Sequence, residues 1–268
     1  MSILKITEDK NMALLEMHYK SESLRSNVTV NVIIPEYPQN EEKSFKTLYL
    51  LHGLSGDQND WIRYTSIERY AKKHGIAVVM PSVGRSWYAD TAYGANYFTF
   101  VADELPRVCR SYFKGMSDAR EDNYVGGLSM GGYGAVKLAM TFPEKYAGCI
   151  SMSGSLDITR KGRSYILEEW RGNFGFDIEN ADALEGGDND LFELARRAKK
   201  AGKDFPKFYF WCGTDDVLIK VNREYRDLLG ELGADLVYTE SEGDHTWKWW
   251  DKHIQPALEH FFPIAKNN

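Results

Sequence analysis

The amino-acid sequence predicts an α/β protein built around a mostly parallel, doubly wound β-sheet. Short apolar runs recur along the 268 residues, and most of them are unbroken, as in strands that are covered on both faces. Segments with helical periodicity lie between these runs, and the alternation continues to the end of the chain. No internal repeat or low-complexity linker interrupts it, so we expect a single domain over residues 1–268.

The predicted strands begin with residues 27–35, where apolar and polar residues alternate up to a proline. This pattern indicates an early antiparallel strand. Unbroken apolar runs predict the parallel strands that follow, at residues 47–53, 75–82, 123–129, 147–155 and 207–215. A last strand is predicted at residues 234–243.

Helical patterns separate the predicted strands. They cover residues 61–73, 101–113, 130–141, 190–201, 218–232 and 247–262. The segment from 157 to 204 is longer than a connection between a strand and a helix needs, and it is polar and dotted with glycine. Because it leaves the sheet at the carboxyl edge, where open α/β sheets bind ligands, we expect a short cap or pocket wall there.

Composition excludes several partners and compartments. The net charge of −6 gives no general attraction to nucleic acid or to anionic membranes, so we expect neither as a partner. No apolar stretch approaches the ~20 residues of a membrane-spanning helix, and the N-terminal segment lacks the apolar core of a signal peptide. The three cysteines are far apart in apolar segments, which predicts free thiols. We therefore expect a cytoplasmic protein.

The stretch NYVGGLSMGGYGAVKLA, residues 123–139, contains the pentad G-x-S-x-G with Ser129 at its centre. The pentad follows a predicted strand and opens a predicted helix, which is the setting of a nucleophile elbow. In such a turn the serine hydroxyl projects from the sheet edge, and Gly127 and Gly131 let the strand and the helix pass closely. A phosphate-binding loop is excluded because neither G-x-x-x-x-G-K nor G-x-G-x-x-G occurs there.

A serine hydroxyl needs a base to act as a nucleophile, and after an elbow of this kind the acid and the histidine follow later in the chain. His245 is the candidate base because it lies in a glycine-containing loop after the last predicted strand. Asp215 and Asp216 directly follow the apolar run at 207–212, and both are candidate acids. We expect one of them to orient His245 and the other to cap the next helix, and the spacing does not choose between them.

Two backbone N–H groups are candidates for an oxyanion hole. Met130 directly follows Ser129, and Leu54 lies in the loop after the strand at 47–53. His52 ends that strand and is expected to shape the loop rather than to act as a base.

Aromatic residues at predicted loops are candidates for the substrate pocket. Trp61, Trp87 and Tyr88 are the residues we expect to line it, with core packing as the alternative. Trp247 also lies near the expected mouth, whereas Trp249 and Trp250 on the last predicted helix are expected to pack in the core. The histidines show neither H-x-x-x-H nor H-x-H spacing, so we expect no metal, and nothing in the sequence indicates another cofactor.

Several segments, in order along the chain, resemble those of one known protein group. The segments are LYLLHGLSGDQNDW, VMPSVGRSWYAD, ELPRVCRSYF, YVGGLSMGGYGAVKLA, CGTDDVLI and GDHTWKWWDKHI. They are similar to the esterase D group of α/β-hydrolases, which includes the S-formylglutathione hydrolases, and in particular to its bacterial tributyrin-esterase branch. The resemblance implies an α/β-hydrolase fold with a short cap insertion around 157–204.

The resemblance also implies roles for individual residues. Ser129 matches the nucleophile and His245 the general base. The group's pattern C-G-T-x-D places the acid on Asp216, and Leu54 and Met130 match the oxyanion-hole positions.

The activity that this resemblance implies is that of a serine carboxylesterase for short-chain acyl esters, with acetyl or feruloyl groups on carbohydrate as candidate substrates. Hydrolysis of thioesters, as in S-formylglutathione hydrolases, is an alternative because it uses the same three residues. Acyl transfer, as in the related mycolyltransferases, is a less favoured hypothesis, because those proteins are exported and no signal peptide is predicted here. A binding protein without catalysis is weakened by the presence of all three candidate catalytic residues. The resemblance further implies a small-molecule ester as substrate and a homo-oligomer, either a dimer or a tetramer.

Overall fold

The computed structural model describes residues 11–36, 44–159, 167–176 and 178–264. Its strands within these ranges are β1 (Met12–Ser21), β2 (Ser26–Pro35), β3 (Thr47–Leu51), β4 (Ala77–Pro81), β5 (Asn123–Leu128), β6 (Gly148–Met152), β7 (Lys207–Gly213) and β8 (Leu236–Ser241). They form one sheet in the order β1-β2-β4-β3-β5-β6-β7-β8.

The strand directions confirm the predicted mostly parallel sheet. β2 pairs antiparallel with both β1 and β4, as expected for an early antiparallel strand. From β3 onward the neighbouring strands are parallel. β1 was not predicted from the sequence, and it is an edge strand whose side chains are largely exposed on both faces. Neither an alternating pattern nor an unbroken apolar run therefore marks it in the sequence.

Helices cover both faces of this sheet. The described helices are α1 (Asp60–Tyr64), α2 (Ile67–His74), α3 (Tyr97–Thr99), α4 (Leu105–Tyr112), α5 (Met130–Thr141), α6 (Leu167–Phe174), α7 (Leu191–Lys200), α8 (Ile219–Glu231) and α9 (Trp247–Phe261). Buried residues of α1, α2 and α9 share one hydrophobic cluster with one face of the strands. Buried residues of α4, α5, α7 and α8 share the cluster on the opposite face. The doubly wound arrangement is thus confirmed. None of the helices in the described ranges has the length and apolarity to cross a membrane.

The helix predicted at 61–73 is wrong in one respect, because it is divided into α1 and α2. The hydroxyl of Thr65 donates to the carbonyl of Trp61 and accepts the N–H of Ile67 at 3.1 Å. Thr65 itself has an extended backbone, so these side-chain bonds hold the chain at the break between the two helices.

The helix predicted at 101–113 begins earlier, at Tyr97, and contains a π-helical turn at Phe100–Glu104 before α4. Pro106 has no N–H to offer the carbonyl of Ala102, four residues before it. The ammonium of Lys145 donates to that carbonyl instead, at 3.1 Å. A side chain from another segment thereby permits the irregular turn, which the local sequence could not indicate.

The described part of the segment 157–204 packs on α5 and against the loop that carries Trp87. α7 packs on α5, and the buried ammonium of Lys137 on α5 donates to Asn189 Oδ1 at 2.6 Å and to the carbonyl of Tyr88 at 3.1 Å. Burial lowers the pKa of this lysine to about 7. Trp170, which is fully buried, packs edge-on against Trp87 at 5.5 Å between ring centroids. These contacts support α5 and the loop that carries Trp87. Residues 160–166 and 177 of the predicted insertion lie outside the described residues.

Candidate active site

Ser129 occupies the sharp turn between β5 and α5. Its backbone lies at φ 53° and ψ −118°, a conformation that non-glycine residues seldom adopt. Its N–H donates to the carbonyl of Met152 on β6 at 3.0 Å, which anchors the turn to the neighbouring strand. A Cβ on Gly131 would lie 2.4 Å from the carbonyl oxygen of Leu51, and one on Gly127 would lie 2.5 Å from the backbone of Gly131. Both glycines are therefore required by close backbone contact, as the pentad predicts.

The structure brings Ser129, His245 and Asp216 into one hydrogen-bonded chain. The hydroxyl of Ser129 donates to His245 Nε2 at 2.9 Å, and Nδ1–H of His245 donates to Asp216 Oδ2 at 2.9 Å. The donor directions follow from the carboxylate, which can only accept, so the proton of the neutral imidazole lies on Nδ1. The carboxyl group of Asp216 is fully buried, while the imidazole is 30% exposed to the cavity.

Hydrogen bonds keep the buried Asp216 ionised. Burial alone would raise its pKa, but the bonds from His245 and from the backbone N–H of Leu218, together with the nearby hydroxyl of Ser153, lower the pKa below its ordinary value. The carboxylate is therefore charged at neutral pH and can fix the imidazole tautomer.

The structure separates the two candidate acids. Asp216 meets His245, whereas Asp215 is exposed to solvent. The expectation that the other aspartate caps the next helix is wrong, because α8 has no side-chain cap. Asp216 itself accepts the Leu218 N–H through Oδ1, at 2.8 Å, in addition to orienting the histidine.

A cavity of about 470 Å³ opens above Ser129 and His245. The described residues that line it are Gly53, Leu54, Asp60, Trp87, Leu128, Ser129, Ser155, Val217, Leu218, His245, Thr246, Trp247 and Trp250. The wall is mainly apolar and aromatic, with a few polar groups, which is the usual composition of a small-molecule site.

Of the three predicted pocket aromatics, only Trp87 is among these lining residues. Trp61 is buried and donates from Nε1 to the carbonyl of Leu51 at 3.0 Å, and Tyr88 is buried and donates from its hydroxyl to the carbonyl of His52 at 3.0 Å. Both polar tips are thus used inside the core, which turns these side chains away from the cavity. The prediction of Trp61 and Tyr88 as pocket residues is corrected accordingly.

Two tryptophans of α9 line the cavity, and one of them was missed. Trp247 was a candidate by its position after the histidine loop, but Trp250 was assigned to helix packing. Trp250 contacts His245 edge to face, with ring centroids 4.9 Å apart. The signal that could have found it is its place one helical turn after Trp247, on the face that must approach His245.

The loop after β3 carries the candidate oxyanion donor Leu54 into the cavity wall, and the other candidate, Met130, is the first residue of α5. His52 holds this loop. Its Nδ1 bonds to the carbonyl of Gly53 at 2.7 Å, and its Nε2 accepts the N–H of Val83 at 3.0 Å. Burial lowers the pKa of His52, which keeps the ring neutral. The expectation that His52 shapes the loop agrees with these bonds.

Comparison with known proteins adds independent information. The model of a family described as "Putative esterase" matches residues 21–261. A protein named acetyl esterase from Caldicellulosiruptor saccharolyticus is 34% identical over 264 residues, which cover 92% of this chain and 97% of that protein.

Two solved structures from Staphylococcus aureus are also similar. One is a fluorophosphonate-binding serine hydrolase with substrate bound, with 32% identity and a TM-score of 0.85 over 94% of this chain and 99% of that chain. The other is an S-formylglutathione hydrolase apoenzyme, with 32% identity and a TM-score of 0.82 over the same shares of the two chains.

Proposed function

The chain belongs to the esterase family, has the α/β-hydrolase fold and is a serine carboxylesterase, and from this premise we propose that Ser129, His245 and Asp216 are its catalytic triad and that it hydrolyses neutral esters of short acyl groups. The observation that carries the proposal is the pair of 2.9 Å hydrogen bonds that join the three side chains at the floor of the cavity.

In the acylation step, Ser129 Oγ attacks the ester carbonyl carbon while its proton passes to His245 Nε2. The imidazolium that forms is stabilised by the ionised Asp216 on the opposite side of the ring. His245 then returns the proton to the leaving alcohol as the carbon–oxygen bond breaks, which leaves an acyl group on Ser129. A water molecule, deprotonated by the same Nε2, repeats the sequence and releases the carboxylic acid.

The negative charge of the tetrahedral intermediate requires two donors. The backbone N–H groups of Leu54 and Met130 are assigned to this role, because Leu54 lies in the cavity wall and Met130 directly follows the nucleophile. Met130 also begins α5, so the positive end of the helix dipole adds to the stabilisation.

The likeness to a protein named acetyl esterase supports short acyl groups as substrates, and the cavity of about 470 Å³ sets an upper limit on the acyl and alcohol parts together. We expect kcat/KM to be highest for p-nitrophenyl acetate and butyrate and to fall roughly tenfold or more by the octanoate, because methylenes that do not fit cost about 1–3 kcal/mol. The measurement is a series of p-nitrophenyl esters of increasing acyl length. A kcat/KM that rises steadily with acyl length contradicts the proposal.

The charge of the cavity wall favours neutral esters over glutathione thioesters. Asp60 is the only carboxylate among the described lining residues, and none of them is a lysine or an arginine. Glutathione carries more carboxylates than ammonium groups at neutral pH, so its thioesters meet a like charge. The S-formylglutathione hydrolase activity of one structural relative therefore stays the second candidate function.

Replacing Asp60 with asparagine is expected to raise kcat/KM for S-formylglutathione roughly three- to tenfold relative to p-nitrophenyl acetate, because a like charge a few ångströms away costs about 1 kcal/mol in a partly solvated site. Burial and the neighbouring Asp57 raise the pKa of Asp60, so both substrates are compared at mildly alkaline pH, where its carboxyl group is ionised. Glu68→Gln removes the same charge at an exposed position on α2 and serves as the control. An unchanged substrate ratio in Asp60→Asn contradicts this role of the carboxylate.

Acetyl or feruloyl groups on carbohydrate, the single domain over residues 1–268, the cytoplasmic location and the homo-oligomer stay predictions from the sequence.

A further inference from the structure

Ser153 has a strained backbone in a fully buried position directly after β6. Its φ is 48°, in the left-handed region that glycine adopts more readily, and such a conformation costs about 1–3 kcal/mol for other residues. Its N–H donates to the carbonyl of Trp211 at 2.8 Å, so the turn is held by the next strand. A glycine would adopt this backbone conformation at a lower free-energy cost, so the serine at this position indicates a role for its hydroxyl.

The hydroxyl of Ser153 lies between two groups of the candidate active site. Its oxygen accepts Nε1–H of Trp250 at 3.2 Å, and the hydroxyl lies near the carboxylate of Asp216, whose pKa it helps to lower. The thiol of Cys212 is a further neighbour, and burial raises its pKa and keeps it uncharged. Since charge-assisted hydrogen bonds are about twice as strong as neutral ones, the hydroxyl proton is assigned to the nearby anionic carboxylate.

The contacts form a closed ring. His245 donates to Asp216, Ser153 lies beside Asp216 and accepts from Trp250, and the Trp250 indole packs edge to face on the imidazole of His245. We infer that Ser153 is a positioning residue of the catalytic triad, which fixes the Asp216 carboxylate and the Trp250 indole and through both of them holds the His245 imidazole in line with Ser129. This inference rests on the proposed triad.

The ring explains why a second donor to the carboxylate matters. Asp216 Oδ1 accepts the N–H of Leu218 at 2.8 Å, and Oδ2 accepts Nδ1–H of His245, the group that has to be positioned. The hydroxyl of Ser153 supplies a second fixed direction, so Oδ2 stays aimed at Nδ1 of His245. A misplacement of the imidazole affects proton transfer more than substrate binding, so kcat should change more than KM.

The test compares Ser153→Ala and Ser153→Gly with the unchanged enzyme on p-nitrophenyl acetate. Both variants remove the hydroxyl, but the glycine variant also relieves the backbone strain, so loss of folding cannot explain a shared defect. We expect both to lower kcat roughly 10- to 100-fold, with KM within about twofold, as for other groups that orient a catalytic ligand. A glycine variant with the kcat of the unchanged enzyme overturns the inference, because the hydroxyl is then dispensable.

Ser151, on β6 and two residues before Ser153, offers a matched control. Its side chain is also fully buried, and its hydroxyl has no hydrogen-bond partner among the described residues. Ser151→Ala is expected to leave kcat unchanged, and an equal loss in this variant overturns the specific role of Ser153.

A double-mutant cycle tests whether Ser153 and Trp250 act together in this closed ring of contacts. Trp250→Phe keeps an aromatic ring beside His245 but removes the indole N–H. If the two residues act as one unit, Ser153→Ala combined with Trp250→Phe loses little more kcat than the more damaging single change. Losses that multiply overturn the coupling. Ser129→Ala tests the proposed function separately. If the Ser153 variants are fully active while the Ser129 variant is inactive, only the positioning role of Ser153 is refuted.

Discussion

Replacing Ser129 with alanine is expected to lower kcat for p-nitrophenyl acetate roughly 10⁴- to 10⁶-fold, since loss of the nucleophile disables a triad whose members act as a unit. The cavity and the assigned oxyanion donors do not depend on this hydroxyl, so the variant should still bind substrate and keep a small residual rate. The same substitution should abolish covalent labelling by a fluorophosphonate, which reacts with an activated serine. Mass spectrometry of the labelled protein measures this directly.

Ser155 provides the control for labelling, because it lies in the wall of the same cavity. Ser155→Ala should still take the label on Ser129. If Ser129→Ala is folded and labelled like the unchanged protein, the nucleophile is another residue and the proposed mechanism is wrong.

The local sequence was enough to predict the elbow and the histidine. At Ser129 the pentad, the preceding apolar run and the following helical pattern all agree, and the close contact of Gly131 with the Leu51 carbonyl explains the pattern physically. His245 was found because its loop must return to the carboxyl edge of a parallel sheet. Chain order and sheet direction are properties that a sequence expresses well.

Side-chain direction was not predictable in the same way. Trp61 and Tyr88 have the expected places near the sheet edge, but partners distant in sequence, the carbonyls of Leu51 and His52, turn their polar tips inward. Trp250 faces the cavity for the same kind of reason, since its indole N–H bonds to Ser153. Such contacts depend on how several elements pack together, so no local pattern records them.

Spacing alone left the choice between the two aspartates open, the resemblance placed the acid on Asp216, and a pair of substitutions tests that choice. Replacing Asp216 with asparagine is expected to lower kcat about 10⁴-fold, the size of loss that follows when a triad histidine has the wrong tautomer. Asp215→Asn removes the same charge from the neighbouring exposed side chain and should leave kcat nearly unchanged.

The expected size of the Asp216 effect follows from the donors around it. The N–H of Leu218 bonds to Oδ1 at 2.8 Å, so an asparagine would place its carbonyl oxygen there and turn its amide NH₂ toward Nδ1 of His245. Two donors cannot face each other, so the imidazole proton moves to Nε2. Nε2–H then points at Ser129 Oγ and cannot accept its proton, although the side chains keep their shape. A melting temperature measured for both variants separates this effect from unfolding. Two results would mean that the carboxylate does not set the tautomer of the base. One is an Asp215→Asn variant as inactive as Asp216→Asn, and the other is an Asp216→Asn variant whose kcat is within about tenfold of that of the unchanged enzyme.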